Sequence, residues 1–215
     1  MIRPRIIVVD YGLGNLFSVC KAFTAIGAEP VISGRPEDIL QADGVVIPGV
    51  GAFGDGMQGL RKRDLVAPLR DFATGGRPVI GICLGMQLLM TESEEFGLHQ
   101  GLDLVQGSVV SLRKNPLFRA KIPQVGWNGL HPARPWERTL FESLPPASEV
   151  YFVHSFGAVP KDPSVSLATI RYGGIDVCAA VQRGNVSGCQ FHPEKSRDAG
   201  LHILRNFIAS IEGTR

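Results

Sequence analysis

The 215-residue sequence has no apolar run long enough to cross a bilayer. It shows no signal-peptide h-region and no transit-peptide composition. A cytoplasmic protein is therefore expected. Charge of neither sign accumulates: 22 Lys and Arg face 20 Asp and Glu, for a net +2. Without a basic stripe there is no groove for nucleic acid, and no acidic tail is present. The four cysteines, Cys20, Cys83, Cys178 and Cys189, form no C-x-x-C pair and stand at no zinc-ligand spacing with the five histidines. Neither a disulfide framework nor a metal centre is expected. Three of them lie in apolar segments and read as buried free thiols of a reducing compartment. Cys83 differs, with glycine two residues away on each side. No internal repeat and no flexible linker interrupts the chain, so one domain over residues 1–215 is expected.

The first half alternates strand and helix. Strands are predicted at Arg5 to Val9, Glu29 to Ser33, Gly44 to Ile47 and Pro78 to Ile82. Helices are predicted at Asn15 to Ile26, stopped by Gly27, then as a short piece opened by Pro36, then at Phe53 to Ala73 with an interruption before Pro68, and from Gly85 to Met90. Gly44 to Ile47 is apolar throughout, as in a strand buried on both faces. This rhythm implies a parallel sheet with right-handed crossovers. The second half is strand-rich: Val105 to Leu112, Tyr151 to His154, Leu167 to Tyr172, Asp176 to Val181 and Val186 to Gln190, with Gly173-Gly174 as a hairpin turn. Pro116 to Pro146, with Trp127 and Trp136, reads as loop-rich. Asp198 to Ile211 is an amphipathic helix with Ile203, Leu204, Phe207, Ile208 and Ile211 on its core face.

Gly81-Ile-Cys83-Leu-Gly85 between a strand and a helix has the form of a nucleophile elbow, the sharp turn that lifts a nucleophile off the edge of a sheet. Side chains at the flanking glycines would collide with the neighbouring strand or helix. The turn sets Cys83 at a helix N-terminus, which favours thiolate. It also aims the amide of Leu84 at the position of a tetrahedral oxyanion. Far downstream stands Phe191-His192-Pro193-Glu194. An extended backbone at Pro193 would put His192 and Glu194 on one side, so that the carboxylate holds one imidazole nitrogen while the other faces the thiol. His192 would take the thiol proton and return it to the leaving amine. Together these are the parts of a centre that cleaves an acyl or amide bond through a thioester.

Gly49-Val50-Gly51-Ala52-Phe53-Gly54 matches a dinucleotide fingerprint. Its confirming feature, an acidic residue closing the next strand, is missing, because that strand runs into Cys83. No nicotinamide and no other cofactor is implied. The loop is instead expected beside the thiol, where a glycine peptide could turn toward or away from the oxyanion.

At this point the sequence strongly resembles the class I, triad-type glutamine amidotransferases. Within them it resembles the glutaminase subunits of imidazole glycerol phosphate synthases. The matching segments are Asp10 to Leu16, Pro48 to Phe53, Gly81 to Leu89, Val125 to Asn128, Tyr151 to Ser155 and Phe191 to Ser196, in family order over essentially the whole chain. The resemblance implies an α/β fold of flavodoxin-like type: an open, mostly parallel sheet flanked by helices, with added antiparallel strands in the second half. It implies hydrolysis of L-glutamine by Cys83, His192 and Glu194. Gln87, with backbone of Ser155 and Phe156, would hold the substrate, and Gly49, Val50 and Gly51 would form a movable oxyanion strand beside Leu84. The ammonia would pass through a sheltered channel to a separate (β/α)8-barrel cyclase subunit. That subunit makes imidazole glycerol phosphate and an aminoimidazole carboxamide ribonucleotide. Asn15, Trp127, Tyr151 and Lys195 match the family's positions at the heterodimer interface.

Two residues depart from the pattern. Gln124 precedes Val125 where the family usually has histidine, and Phe156 stands where tyrosine is common. Neither removes a triad member. The alternatives are a paralogous amidotransferase of surface-sugar synthesis, an inactive partner-binding chain, and a free-standing cysteine hydrolase. The intact triad opposes the second, and Gln87 with the Trp127 and Lys195 segments opposes the third.

Overall fold

The computed structural model describes residues 4–213. Met1 to Arg3, the approach to the first predicted strand, lie outside the described residues, as do Thr214 and Arg215. Ile6–Val9 (β1) are four consecutive β-branched residues, all buried. They suit a central strand covered on both faces. Ile6 and Val8 pack with Val19, Phe23 and Phe207, while Ile7 and Val9 pack with Phe53, Leu60, Leu69 and Phe72. The period of two along one strand thus feeds two hydrophobic cores, one on each side of the sheet.

That sheet has eight strands. β2 (Pro30–Ser33), β1, β3 (Gly44–Gly49), β4 (Val79–Cys83) and β14 (Val186–Cys189) run parallel. β13 (Ile175–Arg183), β12 (Ser166–Tyr172) and β9 (His131–Pro132) continue it antiparallel. Helices α1 (Leu16–Ala25) and α6 (Arg197–Glu212) cover one face, with Phe23 against Phe207 edge to face. Helices α3 (Phe53–Lys62) and α4 (Val66–Thr74) cover the other, near the short α2 (Pro36–Leu40). A second sheet orders β11 (Phe156–Pro160), β7 (Val105–Ser111), β5 (Met90–Ser93) and β6 (His99–Gln100). A separate ribbon pairs β8 (Gln124–Gly129) with β10 (Glu149–His154).

The α/β class and the parallel first half follow the sequence reading, with differences in detail. The helix expected from Phe53 to Ala73 is two helices, and it breaks at Arg63 to Leu65 rather than directly before Pro68. Asp64 turns to φ 56 there, and Leu65 N–H bonds back to Leu60 O at 3.0 Å. Pro68 sits in the first turn of α4, where its missing N–H costs nothing. The helix after Cys83 (α5, Leu84–Leu88) ends before Met90, which begins a strand. The loop-rich stretch from Pro116 to Pro146 also contains β8, with Trp127, and the short β9. Cys20 and Cys178 are half-buried rather than buried, while Cys83 and Cys189 are buried, and all four are free thiols.

Candidate active site

Cys83 closes β4 with φ 55 and ψ −111. A non-glycine residue there stores on the order of 1–3 kcal/mol of strain, which the packing around it sustains. A Cβ on Gly81 would come within 2.5 Å of Gly85 O, and one on Gly85 within 1.7 Å of Ile47 O. The two glycines let α5 fold back against β4 and β3. The elbow exists because nothing larger than hydrogen fits at either flank.

The parallel register puts Gly49 of β3 opposite Cys83, and Cys189 of β14 opposite Ile82. Strands ending side by side bring the chain at Gly49 to Gly51 to one side of the thiol and the chain at Gln190 to Glu194 to the other. Val50, Gly51, Cys83, Leu84, Gln87, Ser155, Phe156 and His192 line one cavity of about 310 Å³. Gly49 lies beneath its floor, where a Cβ would meet Tyr11 Oη at 2.3 Å and Leu84 Cβ at 2.8 Å. The Tyr11 hydroxyl donates to Pro48 O at 2.6 Å and fastens this end of β3. Burial, with Cys83 nearby, holds that phenol well above its usual range.

His192 Nδ1 bonds Glu194 Oε1 at 2.7 Å, both side chains being almost wholly buried. The contact is the expected one, but its geometry is not an extended chain. Pro193–Lys195 form a 3-10 turn that brings the carboxylate back under the ring. His192 Nε2 is buried without a partner of full hydrogen-bond geometry, yet the thiol is close enough to act on it. Burial pushes the imidazole down. Cys83 and Glu194 outweigh it and hold the pKa up at about 9, the direction that favours a thiolate–imidazolium pair.

The backbone of His192 is held from β10: its N–H donates to Tyr151 O at 2.9 Å. Ser196 completes the clasp. Its hydroxyl donates to His192 O at 2.7 Å and accepts from Tyr151 N–H at 3.0 Å.

Several residues without an assigned role also reach the site. Glu95 lines the cavity and accepts from Phe53 N–H at 2.7 Å. His154 lines it too. Its Nδ1–H donates to Phe156 O at 2.8 Å, since a carbonyl only accepts. Burial lowers its pKa to about 4, against the pull of that carbonyl, so it stays neutral beside His192. Gln190, fully buried, donates through Nε2 to Cys83 Sγ at 3.8 Å. No periodic pattern or motif rule singles out these three. Gln87 is buried, and its Nε2 donates to Phe156 O and to Gln190 Oε1, each at 3.0 Å. The same side chain lines the cavity.

The predicted interface residues divide. Trp127 and Tyr151 stack edge to face at 5.8 Å across the β8–β10 ribbon. Lys195 Nζ lies 6.0 Å from the Tyr151 ring, and the Arg197 guanidinium 4.6 Å from that of Trp127. With exposed Val125 and Val153 they form an apolar face rimmed by cations. Asn15 stands apart from this stack as the N-cap of α1, accepting from Ser18 N–H.

Residues 7–211 match the family model of the class-I glutamine amidotransferases. The chain is 46% identical to imidazole glycerol phosphate synthase subunit HisH 1 of Legionella pneumophila over 94% of its own length and 97% of the relative's. It is likewise 46% identical to subunit HisH of Thermosynechococcus vestitus, over 99% of this chain and all of that one. Among solved structures it is similar in fold to a chain of PurLQS from Thermotoga maritima, with a TM-score of 0.71 and 20% identity, covering 97% of this chain and 99% of that one.

Proposed function

The chain belongs to the class-I glutamine amidotransferases, and from that premise we infer that it is the glutaminase subunit of an imidazole glycerol phosphate synthase. It hydrolyses L-glutamine to glutamate and ammonia and hands the ammonia on for histidine biosynthesis. Its 46% identity to the HisH subunits over nearly full length supports this reading over a surface-sugar amidotransferase. The observation that carries the chemistry is the strained Cys83 in a cavity that also takes in an imidazole bonded to a buried carboxylate.

In the proposed mechanism the thiol proton passes to His192 Nε2, and sulfur attacks the side-chain amide carbon of glutamine. Glu194 keeps Nδ1–H engaged and stabilises the imidazolium. The oxyanion forms near Leu84 N–H and the peptides of Gly49 to Gly51. Collapse expels ammonia with the proton from His192. Water then attacks the thioester and releases glutamate. Gln87 Oε1 and the backbone of Ser155 and Phe156 hold the substrate, and Glu95 supplies a carboxylate for its ammonium group.

We also assign the partner. A (β/α)8-barrel cyclase subunit would sit on the face made by Trp127, Tyr151 and Lys195 and extend to Asn15, in the cytoplasm, against a single domain formed by the whole chain. In support, Tyr151 presents its ring to that face while its backbone clasps His192. Among the described residues no helix is long and apolar enough to cross a membrane.

Replacing Cys83 by alanine is expected to lower glutamate release at least about 10⁴-fold. Ammonia-dependent cyclisation by the partner should remain. Persistence of glutamine-dependent turnover in Cys83→Ala would refute the assignment.

A further inference from the structure

Cys83 Sγ has two close polar neighbours besides the imidazole. One is Val153 O at 3.9 Å, which accepts from the neutral thiol. The other is Gln190 Nε2 at 3.8 Å. Once sulfur has lost its proton to His192, Val153 O has nothing to accept, and a carbonyl facing a thiolate is repulsive. Only an N–H donor favours the charged form. The identity of the group that faces sulfur therefore matters, and it is set from a distance. Phe156 O cannot donate, so Gln87 must present its NH₂ there. The same NH₂ reaches Gln190, which must answer with its carbonyl oxygen. Gln190 is thereby left with its own NH₂ toward Cys83. The chain Phe156 O, Gln87, Gln190, Cys83 Sγ has one consistent direction, and each amide fixes the orientation of the next.

The geometry points to Gln190 as a positioning residue that holds the Cys83 thiolate by an oriented N–H, with the orientation imposed through Gln87 by the backbone of the glutamine pocket. This rests on the glutaminase reading for its role in turnover, though not for its effect on the sulfur. The same donor serves when the thioester is cleaved, because sulfur departs as thiolate and must again be held before His192 returns to neutral. Gln190 is wholly buried between Gln87 and Cys83, so water cannot take over the donor's role when it is removed.

The test is the pH dependence of Cys83 alkylation by iodoacetamide, followed by mass spectrometry at that residue. Gln190→Met keeps the volume and removes the donor. Its alkylation midpoint is expected to rise by about one pH unit, with about tenfold less thiolate on the acidic limb. Gln87→Met frees the Gln190 amide to turn, and a smaller shift in the same direction is expected. With glutamine, Gln190→Met should lower kcat and leave KM near its original value. A folded Gln190→Met chain with an unchanged midpoint overturns the assignment. If that variant does not fold, the unmodified chain decides. Its Gln190 side-chain amide signals in ¹⁵N-resolved NMR should titrate at the Cys83 midpoint and stop doing so in Cys83→Ala. Signals that ignore the thiol's titration overturn it equally. A shifted midpoint in a chain that releases no glutamate even in complex with the cyclase subunit would uphold Gln190 and refute the glutaminase reading, so the two failures are distinct.

Discussion

Two glycine-rich turns lie side by side at the site, after β3 and after β4, and they use glycine for opposite reasons. In the β4 turn, Gly81 and Gly85 are required by contact: each lacks room for a methyl group against backbone that cannot move. In the β3 turn, Gly49 is pinned between two buried side chains, by the Tyr11 hydroxyl and Leu84 Cβ. Two residues on, Gly51 has φ 108, and a Cβ there would touch nothing nearer than Leu13 at 4.0 Å. Val50 between them is exposed. One turn is rigid because it is crowded. The other is anchored at its first glycine and unhindered at its last. A nucleophile must be held, whereas a peptide that completes an oxyanion hole is useful if it moves.

The contrast can be broken most directly at Gly85. Gly85→Ala is expected to cost about 3 kcal/mol or more in urea denaturation, because β3 and α5 must separate to admit the methyl group. A loss below about 1 kcal/mol would show that the β4 turn has slack. Gly51→Ala should cost about 1–2 kcal/mol from backbone strain alone. Glutamate release should fall more than tenfold while Cys83 alkylation stays at its original rate, since the sulfur is untouched. Stimulation of glutamate release by the cyclase should be blunted in the same variant; full activity of the isolated original chain would argue that the loop already rests in its productive state. The smallest effect lies at Cys83 itself. Cys83→Gly should be about 1 kcal/mol more stable than Cys83→Ala, because only glycine relaxes at φ 55. Equal stabilities would remove strain from the account of the elbow.

These turns also show what was legible beforehand. Gly81, Cys83 and Gly85 were readable because a steric requirement leaves a fixed spacing in the chain. The contact of Glu194 with His192 was readable as a pairing, but its route was not: extended and 3-10 backbones both bring residues two apart within reach. Strand β8 was hidden because Gly126, Asn128 and Gly129 are poor strand formers. It forms by pairing with β10, a tertiary cause. Gln190, Glu95 and His154 were hidden for a related reason. Each is a single polar residue whose meaning comes from the strand beside it, and the sequence spacing from Gln190 to Cys83 is 107 residues.

The insertion of β14 between β4 and β13 has a consequence for how the protein is made. While a ribosome is still short of residue 186, β4 is an outer strand and the sulfur of Cys83 has neither the imidazole of His192 nor the amide of Gln190 beside it. At about 5–20 residues per second, that interval lasts several seconds. The nascent chain therefore carries a cysteine with no more than ordinary thiol reactivity. The neighbours of its sulfur arrive near the end of synthesis, when closing a long loop completes the sheet and the cavity in one event.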